Sequence, residues 1–274
     1  MEDLLRAVAL GIVQGLTEFL PISSSGHLIV TRELFGWEFT NDLTFDVALH
    51  LGTTFALLVY FWQEWLRMLR GGLGWAMGDR DPGRTTVYGG RLLVLLAIGS
   101  IPAAVVGLIF DNWVEETVRS PFVVGAMLLT FGAVLFAAER WGRRVRSIDS
   151  CRWRDILWIG AAQAVSLVPG VSRSGVTISA ALGRGFTREE AARLSFLLAT
   201  PVIFGAGILK LGEALAGGVP SGDAGTILAG AVAAAVVGWL AIHSLLRLVQ
   251  SGTYLPFVAY RALAGLFVLV YFAS

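Results

Sequence analysis

Long apolar runs, broken at two places by polar residues, set the pattern of this chain. Segments 45–62, 92–110, 122–138, 194–211, 227–242 and 255–272 are almost continuously apolar. Each approaches or reaches the roughly 20 residues that a helix needs to cross a bilayer. Two further pairs of apolar segments, 4–20 with 27–35 and 156–168 with 176–182, are too short to cross singly. The first pair is joined through QGLTEFLPISSSGH (14–27) and the second through PGVSRSG (169–175). Irregular, polar backbone is tolerated at membrane depth only where protein buries it or it lines a wet cavity. The pattern therefore predicts an all-α polytopic membrane protein, with six transmembrane helices and two re-entrant helical hairpins.

Composition agrees. Of 274 residues, 55% are hydrophobic and only 15% charged, against about one quarter charged in soluble domains. The single cysteine, Cys151, excludes an intrachain disulfide and a cysteine-based metal site. The start of the chain does not read as a signal peptide, because acids precede the apolar run and no small-residue cleavage site follows. A net charge of +1 identifies no partner, since the charges are segregated by side, and no nucleic-acid partner is expected.

If the segments alternate as given, one side carries Arg67, Arg70, Arg80, Arg84, Arg91, Arg140, Arg143, Arg144, Arg146, Arg152, Arg154, Arg184, Arg188, Arg193 and Arg247. The other carries Arg6, Arg32, Arg119 and Lys210, with acids at Asp111, Glu115, Glu116 and Asp223. By the positive-inside rule the first side is cytoplasmic. Were the second hairpin a full crossing, the arginines of 140–154 and 184–193 would fall on opposite sides.

Shifting the chain by 149 residues lays Gly11, Gln14, Ser23, Ser25 and Gly26 on Gly160, Gln163, Ser172, Ser174 and Gly175. One membrane domain is thus expected to hold a first repeat (1–139), a basic cytoplasmic connector (140–154) and a second repeat (150–274). Three crossings in each half invert the second repeat, an arrangement that places a binding site near the midplane where two broken helices meet. The candidate site gathers Glu18, Ser23, Ser24, Ser25, His27, Ser172, Arg173 and Ser174, with backbone donors near Gly26 and Gly175. A guanidinium suits phosphate oxygens, and helix N-termini favour anions. A hydroxyl, a carboxylate and an imidazole are the parts of nucleophilic and acid–base catalysis. Asp46 and His50, one helical turn apart, face the same way and either support the site or cap their helix. A plain Glu18–Arg173 ion pair is the main structural alternative.

QGLTEFLPISSSGH and PGVSRSG resemble the two signatures of the undecaprenyl-diphosphate phosphatase family of bacterial membranes, also called bacitracin-resistance proteins. FDVALHLGT, FLLATP and LPFVAYR fit the same family, so the resemblance runs nearly end to end. It implies hydrolysis of undecaprenyl diphosphate to the monophosphate that carries cell-wall sugars in peptidoglycan biosynthesis. It also implies a divalent cation (Mg2+ or Ca2+), a bacterial inner-membrane location and a site open to the extracytoplasmic face. Glu18 matches the second acidic position of the family's E/Q-xxx-E motif, and Gln14 stands where many members have Glu. Ser24 matches the proposed nucleophile with Ser23 beside it, Ser25 stands where some members have Thr, and His27 matches the family histidine. Ser172 and Arg173 match the serine–arginine pair of the second motif.

The expected mechanism has Arg173 and loop N–H groups clamp the diphosphate while a metal near Glu18 neutralises its charge. Ser24 attacks the terminal phosphorus, with His27 as the rival nucleophile. The partners expected are the polyprenyl diphosphate lipid and the membrane, with a homodimer as a further candidate. A polyprenyl-phosphate transporter or flippase using the same anion site is the alternative function. The acid-phosphatase-like fold fails on its own pattern, because position 179 is Ser where that class needs His.

Overall fold

The computed structural model describes residues 2–37, 42–77, 89–217 and 224–273. Among these it contains eleven α-helices and no strand: α1 (Glu2–Phe19), α2 (Ser24–Phe35), α3 (Asp42–Tyr60), α4 (Trp62–Ala76), α5 (Gly90–Thr117), α6 (Pro121–Trp141), α7 (Trp153–Val165), α8 (Arg173–Gly183), α9 (Arg188–Gly217), α10 (Ala224–Ser251) and α11 (Leu255–Ala273). Segments of five of them, Gly90–Phe110, Pro121–Trp141, Arg188–Lys210, Ala224–Ser251 and Leu255–Ala273, are long and apolar enough to cross a membrane. A sixth crossing is available if α3 and α4 act as one broken span, bent by 73°.

Helix α4 was not expected from the sequence. Its Glu64, Arg67 and Arg70 give 63–76 the look of a loop, yet they share a helix with Leu66, Leu69 and Leu73. The corner between α3 and α4 is filled by Phe61, which is fully buried. Segment 111–116 forms the last turns of α5. The side chains of Asp111, Glu115 and Glu116, and all of Arg80, Arg84 and Asp223, lie outside the described residues.

Apolar residues fill the core and also cover the outside, as a lipid solvent demands, and a smaller set of polar residues is buried among them. Leu108, Trp141, Leu263 and Val270 face outward, while Gln14, Glu18, Ser174, Thr177 and Arg261 are buried. Helix α1 packs on α10 as α7 packs on α5, α10 packs on α3 as α5 packs on α9, and α6 meets α11. Glycines allow the closest approaches. A Cβ on Gly11 would lie 2.3 Å from the Gly230 carbonyl oxygen, and one on Gly160 would lie 2.0 Å from that of Gly99. Close backbone contact through small residues drives helix association where lipid removes the hydrophobic force.

Five of the arginines anticipated on one side, Arg91, Arg144, Arg146, Arg184 and Arg188, meet around the 140–154 connector. Arg91 donates to the Cys151 carbonyl, and Arg146 and Arg184 both bind Asp155, each with a contact of 2.7 Å. Arg144 and Arg188 bind the buried Glu139, and the Val145 and Arg146 N–H groups donate to the Gly185 carbonyl. Burial alone would raise the pKa of Asp155, but the bonds from Arg146 and Arg184 outweigh it and hold the carboxyl at about 2. These bonds bring the start of α7 and the end of α8 to the same connector, so that hairpin begins and ends at one end of the bundle. At the opposite end, Asp46 binds Arg32 at 2.6 Å and Arg119 at 3.0 Å, joining α2, α3 and the α5–α6 turn.

Gly160→Ala is expected to force α7 off α5 and lower the thermal unfolding temperature in detergent, at the roughly 1–3 kcal/mol typical of overpacking. Gly183→Ala, whose added Cβ would meet nothing within 4 Å, serves as the control and is expected to leave that temperature unchanged or slightly raised.

Candidate active site

Helices α1 and α7 each stop at a polar break, and each break ends in a serine that caps the next helix. Ser23 and Ser172 both hold positive φ, 77° and 70°, a region that costs a non-glycine residue on the order of 1–3 kcal/mol. Their hydroxyl oxygens repay part of that by accepting the third N–H along, from Gly26 at 3.4 Å and from Gly175 at 3.1 Å. The two caps, 149 residues apart, thus have nearly the same backbone geometry.

The breaks touch. The Gly170 N–H donates to Ser23 Oγ at 3.1 Å, and Ser174 Oγ donates to the Leu20 carbonyl at 3.0 Å. Behind them lies Arg261 of α11, fully buried. Its guanidinium donates to the carbonyls of Pro21 (3.1 Å), Gly170 (2.9 Å) and Val171 (3.1 Å), and to those of Met127 and Leu128 on α6. One side chain therefore satisfies carbonyls that both breaks expose. Sequence reasoning placed Arg261 only within LPFVAYR and assigned it no role, although a lone arginine in an apolar span is a signal in its own right.

In front of the breaks, Glu18 is 5% exposed. One carboxylate oxygen pairs with the Arg173 guanidinium. The other accepts Ser24 Oγ–H at 2.5 Å and Gln14 Nε2–H at 2.9 Å. Ser24 and Arg173 are the first residues of α2 and α8, whose leading amides have no acceptor behind them in the helix. The group borders a cavity of about 330 Å³, also lined by Ser23, Ser25, Ser172, Asp46 and His50. The cavity reaches Val114, Arg119 and Lys210, towards the end of the bundle opposite the basic connector.

Other anticipated residues fall elsewhere. His27 does not line the cavity; its Nδ1 donates to the Ser23 carbonyl and its Nε2 accepts from Tyr260 Oη, each at 2.6 Å. Both ring nitrogens are occupied in holding the first break. Gly26 and Gly175 spend their N–H groups on the serine caps, and Ser174 is engaged with Leu20. Gln14 reaches the site only through Glu18. Asp46 is neutralised by two arginines at the cavity rim. His50 is better placed than the sequence suggested. Its Nδ1 donates to the Asp46 carbonyl at 2.8 Å, so its Nε2, 3.9 Å from Glu18, points at the reactive group.

Among the described residues no cluster of three or more His, Cys, Asp or Glu side chains is arranged to hold a metal ion. The donors near Ser24 suit at most a hard cation held by Glu18 and completed by ligand oxygens, the usual manner for Mg2+.

The fold and site define a class: an all-helical polytopic membrane protein with a partly buried hydroxyl–carboxylate–guanidinium group where two interhelical breaks meet. The chain belongs to the bacitracin resistance protein BacA family, whose model matches residues 7–267. Among its relatives, the undecaprenyl-diphosphatase of Desulforudis audaxviator is 45% identical over 97% of this chain and 96% of its own length. That of Geobacter sulfurreducens is 45% identical over 98% of each. That of Alcanivorax borkumensis is 42% identical over 99% of this chain and 100% of its own length. These names are those of an enzyme, not of a carrier, and the transport alternative is not supported.

Arg261→Met is expected to strand the carbonyls of both breaks, each buried unsatisfied group costing about 1–3 kcal/mol. Thermal unfolding and detergent solubility should show severe destabilisation, with Arg261→Lys intermediate. An Arg261→Met protein as stable as the parent would contradict this role.

Proposed function

We propose that this chain is an integral-membrane phosphatase that hydrolyses undecaprenyl diphosphate to undecaprenyl phosphate and phosphate, recycling the lipid carrier of cell-wall synthesis. The observation that carries the reading is the Ser24 hydroxyl held 2.5 Å from a carboxylate whose other oxygen is paired with Arg173, on the wall of one cavity. In the resting protein Glu18 and Arg173 neutralise one another, which keeps both charges tolerable in a membrane interior. An arriving diphosphate competes for the guanidinium and frees Glu18 to act as a base. Ser24 Oγ then attacks the terminal phosphorus as its proton passes to Glu18; the bond to the lipid monophosphate breaks, and the departing phosphate takes that proton. Glu18, ionised again, accepts a proton from the water that hydrolyses the phosphoserine, which releases phosphate and restores Ser24. Charge on the transferring phosphoryl group is met by Arg173 and by the leading amides of α2 and α8.

Ser24 is preferred to His27 as nucleophile because both nitrogens of His27 are engaged away from the cavity. His50 Nε2 is positioned to share the proton taken by Glu18. Glu18 is the residue that would hold a Mg2+ or Ca2+ ion, which when bound supplies neutralisation of the diphosphate charge.

In the proposed topology the two hairpins are re-entrant and the halves 1–139 and 150–274 form an inverted repeat. The reciprocal helix pairings and the matched serine caps support it. With the basic connector cytoplasmic, the cavity opens to the extracytoplasmic face of the bacterial inner membrane.

Phosphate release from undecaprenyl diphosphate by purified protein tests the reading. Ser24→Ala should lose at least about 10³-fold in kcat, and Arg173→Ala at least about 10²-fold. A chelator should suppress release, and added Mg2+ or Ca2+ should restore it. Near-normal turnover by Ser24→Ala would move the attack to water, and near-normal turnover by Arg173→Ala would remove the site altogether.

A further inference from the structure

Gln163 lies near the end of α7, shortly before the second break. It is 1% exposed, yet neither its Oε1 nor its Nε2 has a hydrogen-bond partner. It also lines the cavity that contains Ser24, Glu18 and Arg173. Buried amides almost always find partners, and one left without them costs on the order of 1–3 kcal/mol.

The 149-residue correspondence explains why its own helix offers it nothing. Gln163 is the counterpart of Gln14, whose Nε2 donates to Glu18 at i+4. The counterpart of Glu18 is Leu167, which has no acceptor. The nearby Ser166 hydroxyl is spent on the Gln163 backbone carbonyl at 2.6 Å. The side-chain amide is therefore left to whatever enters the cavity.

We infer that Gln163 is a substrate-binding residue, its Nε2–H donating to a phosphoryl oxygen of a diphosphate bound in the cavity that Arg173 also lines. This rests on the phosphatase reading of the cavity. The ligand chemistry follows from the donors. Arg173 and the leading amides of α2 and α8 select an oxyanion, and a neutral amide adds a further donor without adding charge to the membrane interior.

The test uses the full-length protein in detergent, with a methylenediphosphonate analogue of the polyprenyl diphosphate as a non-hydrolysable probe. Thermal unfolding is followed with and without the probe, and KM is measured with undecaprenyl diphosphate. Gln163→Leu removes the orphan amide at similar volume. Without probe it should unfold at the parent temperature or higher. The rise caused by the probe should shrink, and KM should increase about tenfold, more than kcat falls, as expected for one hydrogen bond to a charged group. Gln163→Met provides the same comparison should the leucine variant fail to fold. If both measures match the parent in the variant, the inference is wrong. It is equally wrong if stability without probe falls while KM holds, since the amide then serves the fold. Arg173→Ala separates the two claims. Loss of the probe's effect there, with retention in Gln163→Leu, overturns only the role of Gln163. Retention in Arg173→Ala overturns the site itself.

Discussion

Interrupting a helix inside a membrane exposes carbonyls that water would satisfy in a soluble protein and lipid does not. This chain interrupts two, and meets the problem with one guanidinium. Arg261 gathers the carbonyls of Pro21, Gly170 and Val171, and adds two from α6. Its planar fork of five donors suits the task in a way that a lysine's ammonium does not. Since the carbonyls come from both breaks, the same bonds that satisfy them also hold the breaks together. Contact between Ser23 and Gly170, and between Ser174 and Leu20, completes the joint.

The two breaks are alike in backbone and differ in the side chains they present. Ser23 and Ser172 cap their helices alike, accepting from Gly26 and Gly175 and sitting beside the hydroxyls of Ser25 and Ser174. The first helical residue, however, is Ser24 in one half and Arg173 in the other. Five residues before each capping serine stands Glu18, at the end of α1, or Leu167, just past the end of α7. The two breaks thus bring a hydroxyl, a carboxylate and a guanidinium together at one cavity. The ion pair between Glu18 and Arg173 belongs to this scheme, and its role as mere packing is less economical. A pair buried for stability alone seldom outperforms apolar residues of similar volume, whereas this one borders a cavity and holds a serine hydroxyl.

Much of this was legible in the sequence because membrane interiors penalise polar residues so heavily. Two polar interruptions in apolar runs located both breaks to within a few residues. The bonds from Arg146 and Arg184 to Asp155 join the start of α7 to the end of α8, two stretches that the sequence had marked as rich in arginine. Side-chain direction was not legible. His27 lies beside the serines in sequence but turns towards Tyr260 on a helix 233 residues away, while His50, from another helix, faces Glu18. Helix α4 escaped notice because its charges mimic a loop, and Arg261 because a motif gave it a place without a partner. Each of these depends on neighbours supplied by tertiary contact, which periodicity does not report.

The contact between breaks 149 residues apart is the central claim, and proximity in the native membrane tests it most directly. With Cys151 replaced by Ser, cysteines at Leu20 and Ser174 would be treated in membranes with a short bifunctional thiol reagent, and linked peptides identified by mass spectrometry. A cross-link joining the two hairpins within one chain is the predicted result, because Ser174 Oγ and the Leu20 carbonyl are 3.0 Å apart. Two cysteines that each react singly, yet never link, would contradict it.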